Sequence, residues 1–375
     1  MSSLDFAATY TALVEAEMRA TLSEVRSASL SAPGDAPGAE GPAEALYRMS
    51  EYHLGWRDHE GTPIQEEERT RLGGKRLRPV LCLLACEAIS GSPNAALPAA
   101  AGIEFIHNFS LIHDDIEDRD EARRHRPTVW KVWGVPQAIN VGSNMQALVY
   151  SAASRTADRG LPSHAVAWLL RRLTDATLRM TEGQFLDMSF EQARQLSVEE
   201  YWTMVGGKTA ALLTATTAVG AGLGLRSCGS QGPEALELAF ERFGRLFGLA
   251  FQARDDYLGV WGQTEVTGKP VYADLLRKKK SLPVAFSLAN ATGANLKCLR
   301  DYYASPTPEP NKVPDVLAVA EGLGAREYVQ QQVEHLTDQA FSALEEVRPS
   351  ADAPAQSCAF DRIAAITRYA LDRES

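Results

Sequence analysis

From Ala45 onward the apolar residues of this chain return every three or four positions, and strand-like alternation is hard to find. The periodic segments run over 76–90, 98–119, 136–155, 163–191, 197–225, 233–261, 281–291 and 325–346. Short Gly, Pro and Ser breaks separate them, and PTPEPNKVPD at 306–315 reads as a surface loop before the last helices. Long helices, short connections and no strands predict an all-α bundle. Residues 5–27 add an N-terminal helix, followed by a Pro-, Gly- and Ala-rich stretch that predicts a flexible linker over 28–42. The expected organisation is a helix plus linker over 1–45 and one helical domain over 46–375.

Composition narrows the function classes. The chain has 375 residues, 45% of them hydrophobic, enough to bury a substantial core. Its 38 basic and 48 acidic residues leave a net charge of −10, which argues against a nucleic-acid partner held by bulk attraction to phosphate. Five cysteines form an odd set without metal-ligand spacing, so reduced thiols in the cytoplasm are expected. Cys82 and Cys86 lie in an apolar run and read as core. The N-terminus lacks the pattern of a signal peptide, and the uncharged run Thr209–Leu225 suits close packing in a bundle better than lipid, so no transmembrane segment is expected. Two glycine patterns mimic nucleotide-binding loops. VGGKTA at 205–210 would need its first glycine at Trp202, and VGAGLGL at 219–225 has no preceding strand. Both read as helix-packing glycines.

The chemistry sits in two acidic clusters. IHDDIEDRDEARRHRP at 112–127 carries Asp114, Asp115 and Asp118 at i, i+1, i+4, so 114 and 118 stack on one helical face and 115 lies about 100° round. Such carboxylates repel one another unless a cation joins them, and Mg²⁺ takes hard oxygen ligands and shares them with phosphate. Taken alone, this triplet is better explained as excess acid on a solvated helix end. The second cluster, FQARDDYLGVWG at 251–262, shifts that balance, because it sets Asp255 and Asp256 among Phe251, Tyr257, Leu258 and Trp261. Carboxylates in apolar surroundings need a cation or hydrogen-bond donors. Gln252 shares a face with Asp255. Two acidic helices facing across a bundle interior would form a multi-metal diphosphate site.

Basic residues complete the pattern. GGKRLRP at 73–79 leads a glycine turn into an apolar helix, with Lys75 and Arg78 near its start, where they can hold an anion together with free backbone N–H groups. On its own that is an ordinary basic cap. Arg123 and Arg124 follow the first acidic helix, Lys208 and Thr209 lie in a helical segment, Lys269 lies in TGKP, and Lys278, Lys279 and Lys280 form a run that can simply be solvated. One diphosphate held through metal and a second held directly by Arg and Lys account for both charge clusters.

With these motifs in order, the sequence resembles the trans-polyprenyl diphosphate synthase family of head-to-tail prenyltransferases. The resemblance runs from Leu46 to the final helices through GGKRLRP, EFIHNFSLIHDDIEDRDEARRHRP, GQFLDM, EYWTMVGGKTA, FQARDDYLGVWG and TGKPVYADLLRKKKSLP. It implies an all-α isoprenoid synthase bundle around a deep central cavity, a homodimer, and up to three Mg²⁺ ions per site. Carried over by position, Asp114, Asp115 and Asp118 would bind Mg²⁺ and through it the allylic diphosphate. Asp255 and Asp256 would bind metal from the opposite wall, supported by Gln252. Lys208, Thr209, Lys269 and Arg123 would contact the allylic diphosphate. Lys75, Arg78, His107 and Arg124 would hold isopentenyl diphosphate, although His107 by itself reads as a core histidine. Asp114, Asp115, Asp118, Lys208 and Asp255 form the expected catalytic group. His113 and His125 receive no role.

The implied reaction ionises the allylic C–O bond, lets the isopentenyl double bond attack the cation, and releases a proton. Phe109 and Ser110 lie about 6–7.5 Å down the helix from Asp114, and one large and one small residue there suggest a twenty-carbon product before a fifteen-carbon one. Two departures stand out: Gly259 where the family pattern has a third aspartate, and Gly142-Ser143-Asn144 where glycine is commonly followed by aspartate. The degenerate second motif keeps two rivals open, a terpene cyclase acting on one prenyl diphosphate and an inactive partner subunit. The cyclase has no need of the second set of cations, and the inactive subunit has no need of an intact first motif.

Overall fold

The computed structural model describes residues 5–29, 43–65, 68–69, 72, 74, 76–191, 193, 195–229, 234–262, 272–305, 307, 309–348 and 353–372. Helices dominate, as the periodicity requires. They are α1 (Asp5–Ser29), α2 (Glu44–His53), α3 (Leu77–Ser90), α4 (Leu97–Glu117), α5 (Val129–Trp133), α6 (Val135–Ser154), α7 (Ser163–Glu191), α8 (Val198–Val205), α9 (Ala211–Ser227) and α10 (Glu234–Trp261). Beyond them come α11 (Ala273–Leu276), α12 (Leu282–Asn290), α13 (Gly293–Ala304), α14 (Val313–Gly322), α15 (Ala325–Glu345) and α16 (Pro354–Leu371). The one sheet among the described residues is a two-residue hairpin, β1 (Ala122–Arg123) against β2 (Arg126–Pro127). Helix α1 continues to Ser29, past the expected boundary, and 30–42 of the expected linker lie outside the described residues. The loop expected over 306–315 closes early, through a 3₁₀ turn at Pro310–Lys312 that feeds α14.

Contacts divide the chain into two compact units. The first comprises Met1–Leu173, Val219–Gly232 and Ala351–Phe360, the second Thr174–Ala218, Pro233–Ser350 and Asp361–Ser375. In the first unit α4 packs along α6 and α3. Its sequence LPAAAGIEFI is almost wholly apolar, with proline in the first turn, so every face of this stretch can be buried. The segment Asn94–Glu117 is long and apolar enough to cross a membrane by composition alone, yet 78% of its apolar window is buried in the protein, the mark of a core helix. Cys82 and Cys86 are fully buried, as expected. Gly220 and Gly224 press on them: an added Cβ would lie 2.2 Å from the Cys82 carbonyl oxygen and 2.8 Å from that of Cys86. The dinucleotide-like glycines are thus a close-packing device.

In the second unit α10 lies along α15, and its core gathers Tyr201, Met204, Leu249, Ala253, Leu282 and Val329. Helix α8 opens with a reciprocal cap. The Ser197 hydroxyl accepts from the Glu200 N–H at 3.1 Å, and the Glu200 carboxylate accepts from the Ser197 N–H at 2.8 Å.

Candidate active site

The first acidic motif lies where α4 ends. The Asp118 N–H still donates to the Asp114 carbonyl at 2.8 Å, so the helical register holds through the triplet, and these two residues share a face. Asp115 is buried, Asp114 half-buried and Asp118 exposed. The chain then reverses through the hairpin, whose two-residue turn sets Arg124 at φ 50° and His125 at φ 62°. Glycine and asparagine usually take that left-handed turn, and other residues pay about 1 kcal/mol or more each. The turn sends adjacent arginines to different partners. Arg123 donates through Nε to Asp115 Oδ1 at 2.7 Å, while Arg124 donates through Nη1 to the Leu72 carbonyl at 3.0 Å. Gly74 lies against the Arg124 guanidinium, 2.6 Å from where a Cβ would stand, and adopts φ 80°.

These arginines sit in a desolvated cationic field. Arg78 Nη1 approaches His107 Nε2 at 3.4 Å. Burial, then Arg78 and Arg124, hold the His107 imidazole well below its ordinary pKa, so it is neutral. Burial and Arg76 bring the Arg124 guanidinium down to about 10. Cations crowded out of water in this way favour an incoming anion. A cavity of about 20 Å³ opens among Tyr52, His53, Asp115, Arg123, Arg124 and Arg126. The first arginine of GGKRLRP faces elsewhere: Arg76 is buried against Glu104 at 2.6 Å and Glu15 at 3.1 Å, which keep it charged. Glu104, a single acid in an apolar run, was the signal available for that pair. Lys75 lies outside the described residues.

Asp115 also tests the fit of a metal. Its Oδ2 is shut off from solvent with no hydrogen-bond partner, and burial raises its carboxyl above the ordinary value despite Arg123. A hard cation supplies what that oxygen lacks. No three carboxylate, imidazole or thiolate groups among the described residues already converge to enclose an ion. The donor set therefore suits Mg²⁺ that arrives with a diphosphate and keeps other ligands, rather than a closed protein cage. Farther down α4, the half-buried Phe109 meets His113 edge-on at 5.7 Å, and the Ser110 hydroxyl donates to the His107 carbonyl at 2.8 Å. His113 explains Gly142, since an added Cβ there would lie 2.2 Å from its Nε2.

The second centre is held within the second unit. A π-helical turn, Gly206–Ala210, interrupts the path from α8 to α9 and carries Lys208 and Thr209. Glycines permit it: a Cβ on Gly183 would meet the Lys208 nitrogen at 2.0 Å, and one on Gly207 the Arg179 carbonyl at 2.6 Å. Backbone touches backbone, and Lys208 Nζ reaches Asp187 Oδ2 at 2.5 Å. Thr209 donates to Gln252 Oε1 at 2.7 Å, and Gln252 Nε2 donates to Asp256 Oδ1 at 2.8 Å. Together with Tyr201 and Lys279, these residues line a cavity of about 30 Å³.

Asp256, expected from the sequence to bind metal, is engaged by the protein's own donors. It is fully buried. Its Oδ2 accepts from the Tyr201 hydroxyl at 2.6 Å and the Leu282 N–H at 2.8 Å, and its Oδ1 from Gln252 and, at 3.4 Å, Lys279. Every acceptor position is committed. Asp255, half-buried, receives no hydrogen bond among the described residues and acts on Lys279 through its charge alone. The lysine run is not merely solvated either. Lys278 donates to the Ser305 and Thr307 carbonyls, and Lys280 to those of Phe190, Glu191 and Ala193. Burial disfavours the Lys279 ammonium, yet Asp256, Asp274, Asp255 and Asp187 together hold its pKa above that of an ordinary lysine. Asp274 also accounts for Gly259: a Cβ at 259 would lie 2.2 Å from Asp274 Oδ2, so that carboxylate fills the space of the absent side chain. Asp187, Tyr201, Lys279 and Asp274 were missed because their roles need partners distant in sequence. Lys269 lies outside the described residues.

Comparison with known proteins identifies the family. The polyprenyl synthetase family matches residues 66–320. A (2E,6E)-farnesyl diphosphate synthase of Mycobacterium tuberculosis is 37% identical over 308 residues, covering 80% of this chain and 81% of that protein. A geranylgeranyl diphosphate synthase of the same organism is 35% identical over 315 residues, 84% of this chain and 85% of its own. The crystal structure of geranylgeranyl pyrophosphate synthetase from Pyrococcus horikoshii superposes with a TM-score of 0.81 at 27% identity, covering 100% of both chains.

Proposed function

The chain belongs to the polyprenyl synthetase family and is a prenyltransferase, and on that premise we propose that it condenses isopentenyl diphosphate with an allylic diphosphate to make a medium-chain all-trans polyprenyl diphosphate. Relatives named for farnesyl and geranylgeranyl products support medium length, and in this reading the twenty-carbon product leads. The enzyme is read as a cytoplasmic homodimer that uses up to three Mg²⁺ ions per site.

Asp114, Asp115, Asp118 and Asp255 would hold the metal, which when bound draws charge from the departing diphosphate. Lys208, Thr209 and Lys269 add direct donors to the same allylic diphosphate. In this reading Arg123 turns its guanidinium from Asp115 to the phosphate oxygens, and the Asp115 carboxylate would then be available to hold metal. Arg78, His107, Arg124 and Lys75 hold isopentenyl diphosphate, with the imidazole neutral and able to offer one N–H. The allylic C–O bond breaks and its electron pair leaves with the diphosphate. The isopentenyl double bond forms the new C–C bond, and the released diphosphate takes the lost proton. The product is five carbons longer. Phe109 is read as the floor beneath the growing tail.

The observation that carries this reading is the cationic field of Arg78 and Arg124 around the neutral His107, desolvated enough to bring Arg124 down to about 10. An enzyme that ionises a single substrate has no use for it. The test is incubation with an allylic diphosphate, with and without isopentenyl diphosphate and Mg²⁺, followed by mass spectrometry. Elongation that needs both substrates and metal is expected. Conversion of the allylic diphosphate alone would identify a cyclase, and complete inactivity an inert partner subunit.

A further inference from the structure

Two features of the sequence have no role in the reaction as described: His113, and the glycine that opens Gly142-Ser143-Asn144. Folding presses them together. His113 projects from α4 one turn after Phe109, and the outer edge of its ring lies on the α6 backbone at Gly142. A Cβ at 142 would stand 2.2 Å from Nε2 and 2.5 Å from Cδ2, so glycine alone leaves room for the imidazole in this position. Nε2 is sealed from solvent and has no hydrogen-bond partner among the described residues. The outer end of the ring is therefore held by shape and not by polarity.

The same imidazole stands at 83° to the Phe109 ring, with the centroids 5.7 Å apart. Residues four apart on a helix share a face, and perpendicular aromatic pairs at this separation attract one another. A phenylalanine ring reaches as far as its staggered side-chain angles allow. The imidazole, seated on α6, fills space into which the Phe109 ring would otherwise turn. Ser110 gives no comparable support, because its hydroxyl is turned back to the His107 carbonyl at 2.8 Å.

We propose that His113, seated on Gly142, is a positioning residue for product length: it props the Phe109 ring in the orientation that blocks the growing tail. The inference rests on the reading of Phe109 as the floor. It gives the residue just before the first acidic motif a task in specificity, exerted through its neighbour one turn back along α4.

The test measures product lengths by mass spectrometry for His113→Ala and Gly142→Ala in the full chain, each alone and combined with Phe109→Ala. His113→Ala empties the space beside the Phe109 ring. Gly142→Ala drives the imidazole off its seat and leaves both rings in the chain. Loss of one perpendicular ring contact changes the balance of Phe109 orientations about 2- to 10-fold, and the ratio of longer to wild-type-length product should rise by that factor in His113→Ala. Gly142→Ala should alter the ratio at least about twofold. In the Phe109→Ala background neither substitution should change the ratio further, because the ring through which they act is gone. Product length is read from whatever product forms, so a slow variant is as informative as a fast one, and thermal melting confirms folding. An unaltered ratio in folded His113→Ala or Gly142→Ala overturns the proposal. An equal shift with and without Phe109 also overturns it, since the imidazole would then line the tail's path itself. Complete loss of turnover in folded His113→Ala does so too, by placing the ring in the chemistry. If Gly142→Ala does not fold, His113→Ala decides alone. Should Phe109→Ala by itself leave product lengths unaltered, the floor reading fails first, so the two failures are distinguishable.

Discussion

Asp255 and Asp256 are adjacent in sequence and opposite in bonding, so replacing each with alanine should give opposite phenotypes. Asp256→Ala removes the acceptor for the Tyr201 hydroxyl, the Leu282 N–H, the Gln252 amide and the Lys279 ammonium. A buried donor left unpaired costs about 1–3 kcal/mol, and breaking a buried charge pair about 3–5 kcal/mol. The terms share one relaxation and do not add. Lys279, with 35% of its side chain exposed, recovers part of its loss by solvation. The expected destabilisation is about 3–5 kcal/mol, or roughly 6–20 °C in melting temperature for a unit of this size. Asp255→Ala should destabilise far less, by no more than about 1 kcal/mol, because its carboxylate accepts no hydrogen bond from a described residue and acts on Lys279 only through its charge. Its effect should be a steep rise in the Mg²⁺ concentration needed for turnover. Urea unfolding and metal titration of both variants measure the two quantities. If Asp256→Ala melts with wild type, or Asp255→Ala is destabilised as far, the division of labour is wrong.

Three other outcomes follow from the geometry. Gly259→Ala gains about 1 kcal/mol of helix propensity but drives a Cβ to within 2.2 Å of Asp274 Oδ2, and overpacking costs about 1–3 kcal/mol. A double-mutant cycle with Asp274→Ala should therefore show coupling of at least about 1 kcal/mol, and purely additive effects would refute the steric account. Phe109→Ala should shift the product toward longer chains, and an unaltered distribution would remove this ring as the floor. His53 and His107 are both held well below the ordinary imidazole value, so the unfolded chain takes up protons that the folded one refuses. Stability should fall as pH drops below about 6.5, by up to about 1.4 kcal/mol per pH unit for each group, and His107→Gln should flatten that slope. Parallel curves for the two proteins between about pH 5 and 7 would contradict this.

Much was legible in the sequence because it depends on local periodicity. The 3.6-residue recurrence of apolar positions placed α4, α6, α7 and α10 within a residue or two, and the i, i+1, i+4 spacing put Asp114 and Asp118 on one face without reference to any other segment. The order of motifs was enough to name the family. What could not be read was the partners that two like residues would meet. Arg76 and Arg78 share one motif, yet Arg76 is buried against Glu104 and Glu15, while Arg78 lies beside His107. Asp256 joined the fold and Asp255 did not because Tyr201 and Leu282 reach only one of them. The reason is general: a carboxylate or guanidinium carries the same charge everywhere, and only the partners that folding brings to it decide whether that charge is spent on structure or left for a ligand.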